Sequence, residues 1–566
     1  MSKIKAINIC MKTTVEIKCS NTNTTHEYPV GTTLYEVYND IKPQLSSSVL
    51  AAIVNNELKE LSYELYNPKI VEFIDISHPD GMRTYTRSLT FLLQVALKQI
   101  LPNHKLSVQH SVSKGLYFEI TNGKQSLDIS EINRLEAYMK DLITKDLRFT
   151  KTKIPTSKAI ELFRNEGYNE KALLLETRGK FFTSVYWLNN VPDHFYGPLV
   201  HSTGYLKKFG LSTYYQGVLL MFPKPDKSDV LQEYVIQNKM LQIFREHKEW
   251  NEILGSKSIG NINKDIQSGR ATNLIQIAEA LHEKKYARIA DEIVEKKSQI
   301  AFISGPSSSG KTTSAKRIAI QLQVAKKRPH IVELDNYFVD RKDTPKDEHG
   351  EYDFESLHAI DLELFNSHLN DLLEGKEVNI PRFDFISGTR SFYDNDRIKM
   401  SENDILIVEG IHGLNPELIT VSEDRIFRIY ASALTSVSVD ENNRIPTTDN
   451  RLIRRIVRDA ATRGYSATDT IRRWQSVRKG EDRNIFPYQE NADIMFNSSL
   501  IYELCVLRKY VEPLLRKVPP SAPEHVEALR LLKFIGYFEN IDAKDEETIP
   551  PTSVLREFIG KSSFNY

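Results

Sequence analysis

A phosphate-binding loop is the clearest chemical feature of the sequence. The stretch AFISGPSSSGKTTSAKRIA, residues 301–319, reads as an apolar strand, a loop of small residues and the start of a helix, and it fits G-x-x-x-x-G-K-[ST]. In such a loop, backbone N–H groups point at phosphate oxygens, the lysine reaches the β- and γ-phosphates, and the following hydroxyl ligates Mg²⁺. The residues predicted to bind ATP or GTP are Gly305, Pro306, Ser307, Ser308, Ser309, Gly310, Lys311, Thr312 and Thr313.

Two carboxylates follow apolar runs further along the chain. Asp335 ends the run in IVELDNYFVDR, and Glu409 ends the run in ILIVEGIHGL. In a doubly wound sheet the strand ends form the ligand crevice. We therefore predict that Asp335 takes a proton from an acceptor hydroxyl and that Glu409 orders Mg²⁺ through water. The structural alternatives are a helix N-cap for Asp335 and a turn residue for Glu409.

An arginine-rich helix is predicted in DNRLIRRIVRDAATRG, residues 449–464. Its apolar residues share one face, while Arg451, Arg454, Arg455 and Arg458 project elsewhere, with Arg463 beyond. Two interpretations remain open. Such a run is usually a solvated basic face. In a phosphoryl transferase, arginines in a lid also neutralise the transferring group.

A hydrolytic GTPase is less favoured than a kinase. Downstream of Thr313 there is no N-K-x-D sequence to read guanine, and DEHG (residues 347–350) fits the D-x-x-G switch pattern at only two fixed positions.

The bulk composition indicates a globular protein with several domains. A chain of 566 residues predicts three or four domains, and 75 basic against 75 acidic residues leave no overall field that favours nucleic acid or membrane. Three cysteines, Cys10, Cys19 and Cys505, argue against a disulfide framework or a cysteine zinc site and favour the cytoplasm. No run of about 18 apolar residues occurs, so no membrane contact is expected.

The elements that must position these residues can be predicted from periodicity. Alternating residues from Thr13, a turn and short helix at 31–33, and an Asn55-Asn56 turn predict a small α+β unit. TRSLTFLLQVALKQI predicts a helix that ends before Pro102. After the phosphate loop, apolar runs alternate with amphipathic helices, which is typical of βαβ units with a mainly parallel sheet. Prolines after Val518 predict a helix with a partly ordered tail.

Residues 300 to about 505 resemble the uridine kinase/phosphoribulokinase family. The matching stretches, in order, are ISGPSSSGKTT, LDNYF, YDFESLHAID, IPRFDFISGTR, IVEGIHGL and RLIRRIVRDAATRG. The resemblance implies an ATP- and Mg²⁺-dependent kinase. It implies that Asp335 is the base acting on a sugar 5′-hydroxyl and that the Mg²⁺ environment includes Thr312, Asp335 and Glu409. The residues it implies for catalysis and acceptor binding are Lys311, Glu355, Phe383, Arg390, Arg455, Arg458 and Arg463.

This sequence departs from the family at the base-reading positions. Uridine–cytidine kinases read the pyrimidine with Y-D-F-x-x-H, whereas this chain has FDFISG, with Phe383 and Gly388 at the first and last positions. Tyr465 and Arg473 stand where the family has an Arg and a Gln. A site without its hydrogen-bonding partners loses the selectivity that they confer. Phosphoryl transfer to a hydroxyl is therefore better supported than uridine as the acceptor. Uridine or cytidine is the default, and a purine nucleoside or another sugar remains open.

The front half resembles parts of the tRNA synthetases. Residues 14–75 resemble a TGS domain, and residues 80–230, above all DHFYGPLVHSTGYLKKFGL, resemble the editing (SAD) region of threonyl- and alanyl-tRNA synthetases. Editing sites use an H-x-x-x-H pair and a later Cys and His. Those positions in this chain are Arg87, Phe91, Phe195 and Leu199. We expect an editing fold without its metal-binding or deacylating centre, and we interpret the nearby His194 and His201 as surface or pocket-lining residues.

The sequence thus predicts a multidomain α/β protein. The predicted parts are a ubiquitin-like α+β TGS domain (1–76), an α+β editing-like domain (77–255), a linker and helix (256–298), a P-loop kinase domain (299–515) and a C-terminal helix and tail (516–566). The predicted function is ATP-dependent phosphorylation of a nucleoside 5′-hydroxyl. The alternatives are another small-molecule kinase, such as one acting on a phosphosugar, and a translation-linked nucleotide switch that binds RNA. The front domains could sense a ligand, dock RNA or organise a homo-oligomer.

Overall fold

The computed structural model describes residues 13–112, 114–122, 126–346, 350 and 352–565, with only the backbone described at 121 and 122. Cys10 and most of the DEHG stretch (347–349) lie outside the described residues. The chain forms two compact units. The front unit comprises residues 13–235, 439–444 and 518–534, and the P-loop unit comprises residues 236–438, 445–517 and 535–565.

The front unit is an α+β structure with several small sheets. Its strands are β1 (Thr14–Cys19), β2 (Thr24–Pro29), β3 (Ala51–Val54), β4 (Glu57–Lys59), β5 (Lys69–Ile74), β6 (Lys105–Val112), β7 (Gly115–Asn122), β8 (Thr150–Pro155), β9 (Phe182–Leu188), β10 (Val191–Asp193), β11 (Gly210–Tyr214), β12 (Gly217–Met221), β13 (Pro223–Lys224) and β14 (Lys227–Leu231). Its helices are α1 (Leu34–Ile41), α2 (Pro79–Ile100), α3 (Ile129–Thr144), α4 (Thr156–Asn165) and α5 (Asn169–Thr177).

The first sheet has the order β2-β1-β5-β3-β4, with β1 and β5 parallel and the other pairs antiparallel. Thr33 caps α1 in a reciprocal capping box with Glu36, and Asn55 and Asn56 both adopt positive φ in the turn between β3 and β4, as predicted. Helices α2 and α3 share a core with the sheet of order β11-β12-β7-β6. The resemblance of these parts to TGS and editing domains stays a prediction.

The P-loop unit is built around a parallel sheet. Its helices are α6 (Asn238–Ile253), α7 (Ile259–Gln267), α8 (Ala271–Glu295), α9 (Lys311–Val324), α10 (Leu362–Leu373), α11 (Thr447–Thr462), α12 (Ala467–Asn484), α13 (Glu503–Arg516), α15 (Ala543–Glu547) and α16 (Arg556–Ile559). Its strands are β15 (Ile300–Ser304), β16 (Arg328–Glu333), β17 (Glu377–Asp384), β18 (Thr389–Lys399), β19 (Asp404–Glu409), β20 (Ile426–Ser432) and β21 (Ile494–Asn497). Helix α14 (His525–Ile535) lies almost wholly within the front unit.

The central sheet has the order β16-β19-β15-β20-β21, and all its neighbours are parallel, as the alternating pattern predicts. The strand that carries the phosphate loop is therefore central, and the chain runs to β16 on one side and to β20 on the other. The order reverses at this strand, so the crevice at its carboxyl end is the ligand-binding position of such sheets. The P-loop unit thus has a parallel-sheet, P-loop kinase-like fold.

The C-terminal segment differs from the expected helix and tail. Residues 516–565 contain α14, α15 and α16, and the last of these buries Phe558 together with Val554 and Leu555 just before it. The prolines in this segment suggested a partly ordered tail, but the apolar residues that follow them are buried. Among the described residues, no helix combines the length and the apolar character needed to cross a membrane.

Candidate functional site

The phosphate loop runs from β15 into α9, as its spacing predicts. Gly305 is required by a close approach, because a Cβ there would lie 1.9 Å from the carbonyl oxygen of Ala431. Gly310 caps α9 with φ of +79°, which favours glycine. The hydroxyls of Ser308 and Ser309 are buried and have no hydrogen-bond partner among the described residues. The loop thus presents unsatisfied donors at a helix N-terminus, which suits a phosphate chain.

Two buried arginines of α11 donate hydrogen bonds to backbone carbonyls of the phosphate loop. Arg451 is 1% exposed and pairs with Glu481, and Arg454 is completely buried and pairs with Glu503. Arg451 also donates to the carbonyl of Ser307 at 3.1 Å, while Glu481 accepts the N–H of the same residue at 3.0 Å. These two arginines therefore belong neither to a solvated face nor to a lid, which corrects both sequence interpretations for them.

The ends of α9 and β19 bring together Lys311, Thr312 and Glu409. The Thr312 hydroxyl donates to Glu409 at 3.2 Å, and the Lys311 ammonium lies 3.7 Å from the same carboxylate. Burial raises the pKa of Glu409 to about 7, and neighbouring Asp335 contributes in the same direction while Lys311 opposes it. The prediction that these groups meet at the strand ends rests on the parallel sheet, and the geometry agrees with it.

Asp335 lies in a 3₁₀ turn (Leu334–Tyr337) directly after β16. Solvent reaches its side chain, while protein atoms crowd it on the other sides, and this desolvation raises the pKa of its carboxyl. Lys311 and Arg463 act in the opposite direction, and both are close enough to influence the charge. A carboxylate that solvent reaches, with cations nearby, is suited to accept a proton from a bound hydroxyl.

Three arginines surround one buried carboxylate at the end of α11. Asp459 is 2% exposed and contacts Arg458 at 3.0 Å, Arg455 at 3.3 Å and Arg463 at 3.7 Å. Arg455 also donates to the Ser307 hydroxyl of the phosphate loop at 2.9 Å. Three positive charges against one negative charge leave a surplus, and burial lowers the pKa of Arg455 and Arg463. The contact of Arg455 with Ser307 places part of this surplus beside the phosphate loop, where positive charge favours phosphoryl transfer.

Glu355 is half-buried beside α12. A Cβ on Gly480 would lie 2.6 Å from the Glu355 Cβ, so the glycine permits the close approach. Burial raises the pKa of Glu355 to about 7, the nearby Glu481 adds to the increase, and Arg455 opposes it. Asp335 raises the pKa of this carboxyl further and Lys311 lowers it, so Glu355 lies near the same charged groups as Glu409.

The predicted acceptor residues on the β17–β18 hairpin are engaged with the protein. Phe383 is buried, and its ring meets Phe338 and Phe385 edge-on at 5.5 and 5.2 Å. Arg390 forms an ion pair of 2.9 Å with Asp361, the N-cap of α10. Phe383 therefore packs in an aromatic cluster, and stacking of its face on a base remains a prediction, as does acceptor binding by Arg390.

The other departures from the family lie next to each other or against the hairpin. The Arg473 guanidinium lies 4.6 Å from the ring centroid of Tyr465, which is 40% exposed. Gly388 has φ of +71°, and its carbonyl accepts the N–H of Arg341 at 2.9 Å. Tyr465 and Arg473 thus form a stacked pair, and Gly388 lies in a turn.

The residues present fit a magnesium nucleotide. Mg²⁺ is usually held by one or two carboxylates, water and the phosphates themselves, so no complete protein cage is needed. The Thr312 hydroxyl and Glu409 carboxylate are oxygen donors of this type, with Asp335 nearby. In the described part of the chain, no three histidine, cysteine or acidic side chains are grouped to hold a metal by themselves.

The four positions of the front unit that resemble those of a synthetase editing site lie mainly in an apolar core. Phe91, Phe195 and Leu199 are buried in one apolar core, with the two phenyl rings 5.5 Å apart. The half-buried Arg87 donates to the carbonyl of Pro198 and lies 5.6 Å from the Tyr196 ring. Side chains at these positions are therefore used for packing and for holding a loop.

The two histidines near these positions, which were expected at the surface or in a pocket, differ in their burial. His194 is buried, its Nδ1 lies 2.8 Å from the carbonyl of Ser184, and burial lowers its pKa to about 4. Its burial shows that the prediction of a surface position is wrong for it, while a pocket-lining role stays a prediction. His201 is half-buried and stacks on Tyr35 at 4.1 Å.

Three functional neighbours were missed by sequence reasoning, namely Asp459, Glu481 and Glu503. Each is a buried carboxylate that fixes an arginine of α11. Asp459 follows Arg458 directly and the apolar pattern around it marks a buried face, so this residue could have been found. Glu481 and Glu503 carry no such signal, because only the tertiary fold brings them to α11.

Comparison with known proteins agrees with this division of the chain. Residues 300–501 match the family model described as the Phosphoribulokinase / Uridine kinase family. A possible uridine kinase from Bacillus stearothermophilus is a structural neighbour with 19% identity and a TM-score of 0.24, covering 35% of this chain and 88% of its own.

The front half is similar to a different class of protein. Threonine–tRNA ligase from Francisella tularensis subsp. tularensis (strain FSC 198) is 26% identical over 186 residues, which are 33% of this chain and 29% of the ligase. The ligase of subsp. novicida (strain U112) is 25% identical over the same length. The chain thus spans less than a third of the ligases that it matches. The family match to the kinases is confined to the region that carries the phosphate loop.

Proposed function

We propose that the P-loop unit is a kinase that transfers the γ-phosphate of ATP to the 5′-hydroxyl of a nucleoside. The observation that carries the proposal is the contact of the phosphate loop with Glu409, whose carboxylate lies 3.7 Å from the Lys311 ammonium and 3.2 Å from the Thr312 hydroxyl, with Asp335 near enough to raise the pKa of Glu409. A base, a cation and unsatisfied loop donors are the parts that phosphoryl transfer needs.

The roles of the side chains follow from where they lie. The loop from Gly305 to Thr313 binds the phosphates, and Lys311 neutralises the charge that develops during transfer. Asp335 accepts the hydroxyl proton, since its raised pKa makes it a stronger base than a free aspartate. Mg²⁺, bound near Thr312 and Glu409, would supply further charge neutralisation. Arg455, Arg458 and Arg463 add positive charge and exclude water, which would otherwise compete as acceptor.

The nucleoside assignment rests on the family match and on Glu355. An ionised carboxylate with two oxygens can accept hydrogen bonds from two sugar hydroxyls. The packed Phe383 and the Tyr465–Arg473 pair leave the base contact changed from that of uridine–cytidine kinases. We therefore propose a nucleoside acceptor, with uridine or cytidine first and a purine nucleoside or another sugar next.

The separation of binding from chemistry tests this proposal. Asp335→Asn keeps the size of the side chain but removes the base, so we expect transfer to fall by about 10²–10⁴-fold while ATP binding stays within a few fold of wild type. Rates would be measured by ADP formation with each nucleoside, and binding by titration calorimetry without an acceptor.

The matched control is Asp343→Asn, at an exposed aspartate eight positions further along the chain. It should leave both quantities unchanged. Equal loss of ATP binding and of transfer in Asp335→Asn would contradict a base role for Asp335. ATP binding by the wild type with no transfer to any acceptor would instead favour a nucleotide switch.

A further inference from the structure

The segment 549–565, which lies beyond the matched residues 300–501, packs on the phosphate loop. We call it the C-terminal brace. Its Val554 meets the loop at Gly310, where an added Cβ would lie 2.3 Å from Val554 Cγ2. Val554, Leu555 and Phe558 are buried at 0, 0 and 1% exposure, so the brace is part of the core of the P-loop unit.

Three more contacts extend along the loop and α9. The Thr313 hydroxyl donates to Glu557 Oε2 at 2.7 Å, and Lys316 donates to the carbonyl of Asn565. Phe558 lies 5.1 Å below the guanidinium of Arg454, the arginine that contacts the Ser308 carbonyl at 3.4 Å. The brace therefore acts on the middle of the loop, through Arg454 and the Ser308 carbonyl, and on its end, through Thr313.

The brace is itself anchored by polar contacts. Arg556 donates to the carbonyls of Ile549 at 2.8 Å and Glu546 at 3.1 Å, which closes the segment on itself. The Ser553 hydroxyl donates to the buried Glu279 of α8, which also accepts from Tyr502. An anchored segment can fix the position of what it touches, because its own disorder does not have to be removed when a ligand binds.

We propose that the C-terminal brace is an added wall of the nucleotide site and that Glu557 is its positioning residue. By holding the Thr313 hydroxyl, Glu557 fixes the first turn of α9, which follows the phosphate loop and directs the positive end of its helix dipole at a bound phosphate. The Glu557 carboxylate also raises the pKa of Glu409, so it lies near enough to act on the charges beside the phosphate loop. This inference rests on the proposed function, since it assumes that the loop binds ATP.

Nucleotide affinity without an acceptor tests the inference. Binding of AMP-PNP with Mg²⁺ to the full chain would be measured by titration calorimetry for the wild type, Glu557→Ala and Glu557→Gln. We expect Glu557→Ala to bind about tenfold more weakly, at the lower end of what one lost hydrogen bond to a charged group costs. Glu557→Gln keeps an acceptor oxygen and should restore most of the affinity. In turnover, KM for ATP should rise while kcat and the acceptor KM stay unchanged.

Control variants separate the possible causes. Glu547→Ala removes an exposed glutamate of α15 and should bind like wild type. In a double-mutant cycle, Thr313→Ala and Glu557→Ala should have non-additive effects if their contact carries the loss. Should Glu557→Ala fail to fold, Glu557→Asp, which shortens the side chain and withdraws the carboxylate from Thr313, tests the same contact.

The outcomes distinguish this inference from the proposed function. Wild-type affinity in Glu557→Ala, with wild-type protein binding nucleotide well, would overturn the inference alone. Tighter binding by Glu557→Ala would also overturn it, because the carboxylate would then be a barrier to phosphate. Absence of nucleotide binding by the wild type would overturn both proposals together.

Discussion

The two regions in which the sequence suggested chemistry use their side chains in opposite ways. At the phosphate loop, Lys311 and Glu409 are 11% and 13% exposed, so charged groups are held in place yet remain within reach of solvent. At three of the positions where the sequence resembles a synthetase editing site, Phe91, Phe195 and Leu199 are 0, 4 and 2% exposed and belong to one apolar core. A catalytic site needs polar side chains that are fixed in position and still accessible to a ligand. Of these two regions, the described residues provide such side chains at the phosphate loop.

Two lysines sharpen this contrast. The Lys311 ammonium lies 3.7 Å from the partly buried carboxylate of Glu409. Lys171 of the front unit is completely buried, pairs with Asp193, and lies 3.7 Å from Asp440. Burial alone would lower the pKa of Lys171, but the surrounding carboxylates outweigh it and raise the pKa. The first lysine is available to a ligand, whereas the second is fully used by the fold.

The same substitution at both lysines should therefore give opposite results, and this is the largest expected effect. Lys311→Met should lower kcat/KM for phosphate transfer by on the order of 10³-fold, since it removes the charge that stabilises the transferring group. Its free energy of unfolding should change by less than about 1 kcal/mol, because Glu409, whose pKa is raised to about 7, can take up a proton when its cation is removed. Transfer would be followed by ADP release, and unfolding by urea titration.

Lys171→Met should destabilise the front unit by about 3–5 kcal/mol, because Asp193 and Asp440 would be left buried without their cation. Hydrogen exchange of the α5 amides reports this local loss even if the two units unfold separately. If Lys171→Met abolished transfer without any change in exchange, or if Lys311→Met melted the P-loop unit, the contrast between the two regions would be wrong.

A smaller effect is expected from pH, through Glu355. Its pKa is raised to about 7, so the carboxyl is mostly protonated at pH 6 and mostly ionised at pH 8. The ionised form is the better acceptor of sugar hydroxyls, and we expect the acceptor KM to fall about tenfold as pH rises over this range. Glu355→Gln should remove this dependence of KM.

Ionisation of Asp335, whose pKa is also raised, should appear in kcat instead. The two profiles can thus be separated in one data set. An unchanged KM profile in Glu355→Gln would show that another group binds the acceptor.

The predictable parts of this molecule are those that the chain encodes locally. The spacing from Gly305 to Thr312 defines the loop, and the apolar runs place Asp335 and Glu409 at strand ends, where a parallel sheet must bring them together. The Thr33 cap and the Asn55-Asn56 turn depend on residues within three positions of each other. Such features need no knowledge of the tertiary fold.

The unpredicted parts depend on residues far apart in sequence. Arg451 and Glu481 are 30 positions apart, Arg454 and Glu503 are 49 apart, and Thr313 and Glu557 are 244 apart. Helical periodicity shows which face of α11 is apolar, but it cannot show that two arginines outside that face meet buried carboxylates. The burial of His194 likewise follows from strand packing, which a single histidine in the sequence does not reveal.

The most direct test of the central claim is the identity of the product. The full chain would be incubated with Mg²⁺, ATP and a mixture of uridine, cytidine, adenosine and guanosine, and followed by ³¹P NMR with ¹H correlation. We predict ADP together with a phosphate monoester coupled to the 5′-methylene protons of a nucleoside, and neither in the Asp335→Asn protein. ATP turnover that yields inorganic phosphate alone, or bound ATP with no new ester, would contradict the assignment of this unit as a nucleoside kinase.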